Sequence, residues 1–594
     1  MFRHVRWQVT LIVVGMVVLA GLIAYLSLSF TTRYVPAPGG TYIEAVIGQP
    51  QFLNPLYCAF NEPDRDICSL VFNGLVKFNA RGEAQPDLAQ NWTVSTDEAD
   101  YGLIYTFNLR SDVTWQDGQP FTADDVIFTI NLLKDQTYAG RPDIAALWRT
   151  VEAVKVNNYM VQMTLQEPFA PFLDYASIGI LPAHVLSGVQ AGDLLDHAFN
   201  RQPIGTGPFR VTEVVNEPGR PSRVLLETNP RFYGRQPYIN EVEFKYYATP
   251  ADAFTAYRAG EVQGIARITL SDLEQVRVTP SLNLFTAPVS GLTVIFLNTA
   301  DPSSSFFQEE DVRKALLLAL DRQRIVDGVL SGQAVVADSP IQPNSWAYDS
   351  ETQPIRQDLA QARRLLNRSG WIAGQPASNG NDNRSDAPDG GLDDKGDGSD
   401  PITRPSIGGT DSIRLKNGVP LSFTLLVSAD QTDVARAVSN QWRVIGVQAT
   451  VQPVQVGLAS NFLQARQYQA AIANIILDSP DPDPYPFWHE TKAASGQNYS
   501  QYKDRDLSEV LEAARRVVDP IRRAELYRRF AQMFSEKVPS ILLYYPVYSY
   551  AVSERIRGVQ LGPMLTPADR LQTLADWFVI ERRVIVNSGQ LAPR

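Results

Sequence analysis

Residues 9–30 form a run of 22 residues without a charged side chain, at the very start of the chain. No other stretch restricts the fold as strongly. As a helix it would be about 33 Å long, against a bilayer hydrocarbon core of about 30 Å. Arg3, His4 and Arg6 precede it, which favours a cytoplasmic N-terminus and a membrane helix over a buried core helix. A cleaved signal peptide has a shorter apolar run of about 7–15 residues. Ala20-Gly21 offers a small-residue cleavage site, yet the run continues past it. No cysteine follows closely enough to carry a lipid. The expectation is an uncleaved signal-anchor in residues 1–35, then a stiff-then-flexible tether, Pro36-Ala37-Pro38-Gly39-Gly40, in residues 36–40. Everything beyond Arg33 is then extracytoplasmic, on a single-pass protein of the cell membrane.

What remains of the 594 residues has room for several domains of about 100–200 residues each. The hydrophobic fraction of 44% is enough to build their cores. A net charge of −11 with no Lys/Arg block excludes a nucleic-acid binder. Two cysteines and four scattered histidines leave no basis for a disulfide framework, a four-cysteine zinc site or an iron–sulfur cluster. No metal and no cofactor are therefore expected. Cys58 and Cys68 flank the turn-rich Asn61-Glu62-Pro63-Asp64. An oxidising compartment permits a Cys58–Cys68 disulfide, and two free thiols fit the sequence equally.

Strand and helix signals alternate irregularly, as in an α/β protein. In 101–110, Tyr105, Phe107 and Leu109 fall on one face and Thr106, Asn108 and Arg110 on the other, the pattern of a half-buried strand. Asp117-Gly118 signals a turn. Thr122 caps a helix with Asp125 as its capping-box partner, and Val126, Ile127, Ile130 and Leu133 supply the apolar face. Helices are also expected over 311–328 and 519–537, the second with Pro520 in its first turn. Residues 541–552 read as a long strand. Residues 374–409 are rich in Gly, Asp, Asn, Ser and Pro, with seven Asp between Asn381 and Pro401, and read as a disordered insertion. Their spacing does not match a calcium loop.

No G-x-S-x-G, H-E-x-x-H, Walker A or G-x-G-x-x-G motif occurs. His184 and His197 lack a neighbouring nucleophile. Asp478, Asp481 and Asp483 form a carboxylate cluster that could serve acid–base chemistry, but the interleaved prolines hold it extended. Holding a cation suits such a loop as well. The chain reads as a binding protein, with no catalytic residue assigned.

Several segments together are similar to one known family. Leu88-Ala89-Gln90-Asn91-Trp92 is followed by Tyr105-Thr106-Phe107-Asn108-Leu109-Arg110 and then Trp115-Gln116-Asp117-Gly118-Gln119-Pro120-Phe121-Thr122-Ala123-Asp124-Asp125-Val126. Pro203-Ile204-Gly205-Thr206-Gly207-Pro208-Phe209, Asn229-Pro230 to Tyr233, Phe296-Leu297-Asn298-Thr299 with Val312-Arg313-Lys314-Ala315, and Leu365-Leu366 with Gly370-Trp371 come next in order. This series resembles the family 5 extracellular solute-binding proteins, the dipeptide- and oligopeptide-binding components of ABC importers. It covers roughly residues 41–580.

The resemblance implies a two-lobe periplasmic-binding-protein-like clamp, type II and cluster C-like, with an extra domain. Lobe I would take 41–85, 203–288 and 540–594, the extra domain 86–202, and the second lobe 289–539. It also implies a monomeric receptor that captures peptides between its lobes and delivers them to ABC permease subunits. In peptide-binding members a carboxylate after an apolar strand holds the ligand ammonium. Asp478, after the apolar stretch 470–477, matches that place, with Asp481 in the same segment. Tyr485 and Trp488 are candidates for side-chain pockets, though packing in a core suits them equally. Trp115, Asp117, Gly118 and Thr122 are read as fold-forming. Because the family also takes nickel chelates and oligosaccharides, a non-peptide ligand is the first alternative. A peptidase-like enzyme is the second.

Overall fold

The computed structural model describes residues 2–96, 102–217, 220–373, 412–477 and 479–585. The expected insertion at 374–409 and the candidate Asp478 lie outside the described residues.

The strand Gly291–Leu297 is buried at every position. A strand apolar on both faces needs cover on both. Ile295 and Leu297 enter one core with Val312, Leu316 and Trp442. Leu292, Val294 and Phe296 enter another with Trp488, Tyr527 and Phe530. This part of the molecule is thus a sheet between two helical layers.

The strand Ser540–Ser553 extends that sheet over 14 residues. Its first part pairs antiparallel with Gly291–Leu297, placing Ile541 opposite Ile295. Its last part pairs with Leu282–Pro288, Ala551 opposite Leu284, and with Gly264–Ile265. It is therefore the central strand of a twelve-stranded sheet. On one side follow Gly291–Leu297, Ala470–Ile476, Ser422–Ser428 and Gln448–Val454. On the other follow Gly264–Ile265, Thr41–Ile47, Glu241–Tyr247, Arg220–Thr228 and Phe209–Glu217.

A separate four-stranded antiparallel sheet runs in the order Ala89–Thr96, Leu103–Leu109, Met160–Leu165, Val151–Asn157. Tyr105, Phe107 and Leu109 are buried, as their alternation predicts. The helix Ala123–Lys134 opens with the expected capping box: Thr122 accepts from the Asp124 N–H at 3.3 Å, and Asp125 accepts from the Thr122 N–H at 2.9 Å. Asp125 also accepts from Trp115 Nε1 and the Ala183 N–H, so one carboxylate joins the turn, the helix and a distant loop. Gly118 takes φ +96°, in the left-handed region. A Cβ at Gly205 would collide with the Val71 carbonyl oxygen, so the Gly205-Thr206-Gly207 turn packs backbone to backbone on the helix Glu62–Val71.

The helix expected over 311–328 is two helices, Glu310–Leu318 and Arg322–Val329. Asp321 breaks it by capping the second, accepting from the Arg324 N–H at 2.9 Å. The helix Pro520–Lys537 begins as predicted, with Asp519 as its cap.

A helix, Phe2–Thr31, begins the described chain, and every described side chain at 9–25 is exposed. Among the described residues no helix is long and apolar enough to cross a membrane. The described side chains 9–25 span only about 26 Å of helix. The strand Thr32–Ala37 then pairs antiparallel with Ile580–Ile585, and the Gly39 N–H donates to the Tyr238 carbonyl at 2.8 Å. The stretch 36–40, read as a tether, is thereby fastened to the body.

Cys58 and Cys68 are free, buried thiols, so the bridge left open by the sequence is not formed. Burial pushes the Cys68 thiol up, and the adjacent Cys58 adds to the effect.

Candidate functional site

Along the central strand, Pro546 and Val547 are the two positions that are not buried. Pro546 has no N–H to give the ladder, and side-by-side pairing changes partners here. Over this break lies a cleft of about 490 Å³. That volume suits a small-molecule or short-peptide ligand. One wall is the end of the strand Ala470–Ile476, with Asn474 and the exposed Ile476. The other carries Arg65 and Arg267. The floor is Tyr548 and Ser549, with Ser549 Oγ donating to Gln333 Oε1 at 2.7 Å.

The arginine wall is fixed from below. Arg570 is fully buried between Glu44, at 2.5 Å, and Asp66, at 2.6 Å. Tyr42 and Tyr550 donate to Glu44 at 2.7 and 2.9 Å. Removing so many charged groups from water is tolerable only because each is paired and hydrogen-bonded. Burial pushes the Asp66 carboxyl up to about 6, although Arg570 opposes it. Asp66 and Arg65 are adjacent on the helix Glu62–Val71, so this ion cluster sets where Arg65 stands. Glu62, at the same helix start, pairs with Arg267 at 2.7 Å. The Arg267 guanidinium lies 5.4 Å from the Tyr548 ring centroid.

The predicted site residues separate. Asp478 comes two positions after Ile476, which lines the cleft, but lies outside the described residues. Its neighbours Leu477 and Ser479 line a narrow recess that shares Ser290 and Leu565 with the cleft. Asp481 is not free to meet a ligand. It is buried, clamps Arg523 bidentately at 2.5 and 2.8 Å, and accepts from Tyr527 Oη. Trp488 is in the core, 4% exposed, with its ring 4.8 Å from Phe534. Tyr485 stacks on His489 at 4.0 Å beneath Arg515 and lines a different opening, shared with Phe169. His489 is buried against Glu512 at 3.0 Å. His184 pairs with Asp117 at 2.7 Å, which leaves it structural. Among the described residues no cluster of His, Cys, Asp and Glu could hold a metal ion.

Contacts beside the cleft join the four-stranded-sheet region to the loop after Ala470–Ile476. Asp174 Oδ2 accepts from Ser479 Oγ and from the Asp481 N–H at 3.0 Å. The Ala170 N–H donates to the Arg515 carbonyl at 2.7 Å. Burial and then the charge of Asp481 push the Asp174 carboxyl up to about 8. Neither Asp174 nor the arginine pair was legible in the sequence. Asp174 meets Ser479 305 residues on and Arg267 meets Glu62 205 residues back, and nothing local marks them.

A cleft over a strand shared by two halves of a sheet is the geometry of a ligand-binding clamp. The model of the bacterial extracellular solute-binding proteins, family 5 middle region, matches residues 83–497. The chain belongs to this family. The oligopeptide-binding protein AppA of Bacillus subtilis is 27% identical over 539 residues, covering 89% of this chain and 90% of AppA. The solved structure of AppA in complex with a nonapeptide superposes with a TM-score of 0.65 at 25% identity, covering 92% of this chain and all of that one (100%). The ABC transporter substrate-binding protein CtaP from Listeria monocytogenes shares the fold, with a TM-score of 0.73 at 23% identity, over 91% of this chain and 99% of CtaP.

Proposed function

We propose that this solute-binding protein captures short peptides outside the cytoplasm and delivers them to the permease of an ABC importer. The observation that carries the reading is the cleft at the break in the central strand, in a chain of this family. The names of AppA and CtaP support the ligand class and the transporter. Two lobes, 41–85 with 203–288 and 540–594 against 289–539, would close on ligand about the central strand, with 86–202 as an added domain. Ligand binding then shifts an open–closed population. Asp478 holds the peptide ammonium, since a sequestered ammonium needs a charge-assisted partner. The run at 9–30 anchors the protein to the membrane, because an apolar helix whose described side chains, 9–25, are all exposed belongs in lipid. Tethering raises the local concentration of receptor at its permease.

The test is thermal unfolding of the full chain in detergent with di- to hexapeptides, oligosaccharides and nickel chelates. Ligand at 100 times its dissociation constant stabilises by about 2.7 kcal/mol. Peptides should raise the midpoint, N-acetylation of the peptide should weaken the effect, and Asp478→Ala should abolish it. A response to sugars or chelates alone refutes the peptide reading.

A further inference from the structure

The helix Phe2–Thr31 runs into the strand Thr32–Ala37 with no residue between them. That strand pairs with Ile580–Ile585 from its first residue, Thr32 opposite Ile585 and Ala37 opposite Ile580. The pair is a sheet of its own and joins no other strand among the described residues. Tyr34 is 64% exposed and shares a face with Arg583 and the exposed Glu581. Ile580, 44% exposed, and the exposed Arg582 are on the other face. A two-stranded ribbon open on both faces is marginal in water and gains from cover. On a chain of net charge −11, the two strands carry Arg33, Arg582 and Arg583 against Glu581 alone. Glu581 already has Arg557 at 3.8 Å, and Asp576, four residues before the strand, pairs with Arg235 at 2.5 Å. The three strand arginines all fall toward the end of the ribbon that adjoins the helix. Helix length gives that end its place. From Arg6 to Thr31 the helix rises about 38 Å, and a bilayer with its headgroups is about 40–45 Å thick. With Arg6 among the cytoplasmic headgroups, Thr32 opens inside the outer headgroup layer and Tyr34 follows within about 7 Å.

We propose that the ribbon of Thr32–Ala37 and Ile580–Ile585 is a second membrane contact, which seats Tyr34, Arg582 and Arg583 among anionic phospholipid headgroups. This rests on the anchor reading of residues 9–30 and goes beyond it. A tyrosine suits the boundary between headgroups and acyl chains, and the arginine fork matches phosphate. The C-terminal strand reaches the membrane only through its pairing with the strand that leaves the helix. The body therefore stands at a fixed height and orientation on the bilayer instead of swinging on a tether. Its cleft is presented in one direction to a permease in the same membrane.

The test uses the full chain reconstituted in phosphatidylcholine vesicles with and without phosphatidylglycerol. Hydrogen–deuterium exchange reads the backbone amides of 32–37 and 580–585. One arginine near an anionic surface is worth about fivefold in an equilibrium, so phosphatidylglycerol should slow exchange there by about tenfold or more. The gain should vanish in Arg582→Gln/Arg583→Gln, while Arg582→Lys/Arg583→Lys keeps most of it. Unchanged exchange in the central strand, 540–553, shows that the variants fold. A thiol-reactive fluorophore on Tyr34→Cys, selective because Cys58 and Cys68 are buried, should be quenched by headgroup-labelled lipid. Equal exchange on the two vesicles, a gain that survives in the glutamine variant, or an unquenched label overturns the inference. Alkaline carbonate separates it from its premise. Protein that stays in the vesicles keeps the anchor reading whatever the ribbon does, and protein that washes off overturns both.

Discussion

Asp174→Asn separates a buried charge from the hydrogen bonds it makes. The Asp174 carboxylate accepts from Ser479 Oγ and the Asp481 N–H, beside Asp481 and its partner Arg523. Tyr105 and Tyr527 face the same pair. Burial, first, and the Asp481 charge, second, push the Asp174 carboxyl up to about 8, while Ser479, the Asp481 N–H and Arg523 oppose the rise. The sign follows directly. Between the ordinary carboxylate value and about pH 8 the folded protein holds a proton that the unfolded chain has released, so stability falls as pH rises. The loss is complete above about pH 8. One pKa unit is worth about 1.4 kcal/mol, so the full displacement would amount to about 6 kcal/mol. Asp174 keeps part of its surface in water, which screens the charge, and an effect of about 2–3 kcal/mol is expected. Asn keeps an acceptor oxygen for the same two donors and never ionises. In urea unfolding followed from pH 4.5 to 9, Asp174→Asn should match wild type at the acid end. It should exceed wild type by about 2–3 kcal/mol above pH 8. A difference that does not change with pH, or a variant less stable throughout, refutes the reasoning.

Arg523→Met leaves Asp481 buried and unpaired and should cost about 3–5 kcal/mol in urea unfolding, far more than a surface ion pair. Trp488→Ala removes a ring packed on Phe296 and Phe534 and should cost about 3–5 kcal/mol by the same assay, as a core residue and not a pocket wall. Thr122→Val deletes the cap of Ala123–Lys134 and should cost about 0.5–2 kcal/mol in thermal or urea unfolding. Cys58 and Cys68 should resist maleimide in the native protein and both label in denaturant, because both are buried free thiols. Labelling of neither in denaturant would instead indicate a disulfide.

Local patterns in the sequence determined a good deal. The alternation around Tyr105 and Phe107, the capping box at Thr122, the turn at Gly118 and the helix after Asp519 all depend on neighbours within a few positions, and each is present. The ordered motifs between Leu88 and Trp371 identified the family for the same reason: they encode local strand–turn–helix units. Where two local signals competed, the sequence misled. The apolar stripe over 311–328 suggested one helix, while Asp321 capped a second. What only the tertiary structure decided is which charges meet. Asp481 looked like a ligand group by sharing the segment of Asp478 after an apolar strand, yet Arg523, 42 residues on, consumes it. Arg570 reaches Glu44 across 526 residues and thereby sets the wall on which Arg65 stands. Electrostatic pairing acts through space over a few ångströms, irrespective of separation along the chain, and so the cleft and its charges exist only once the two halves of the sheet share a strand.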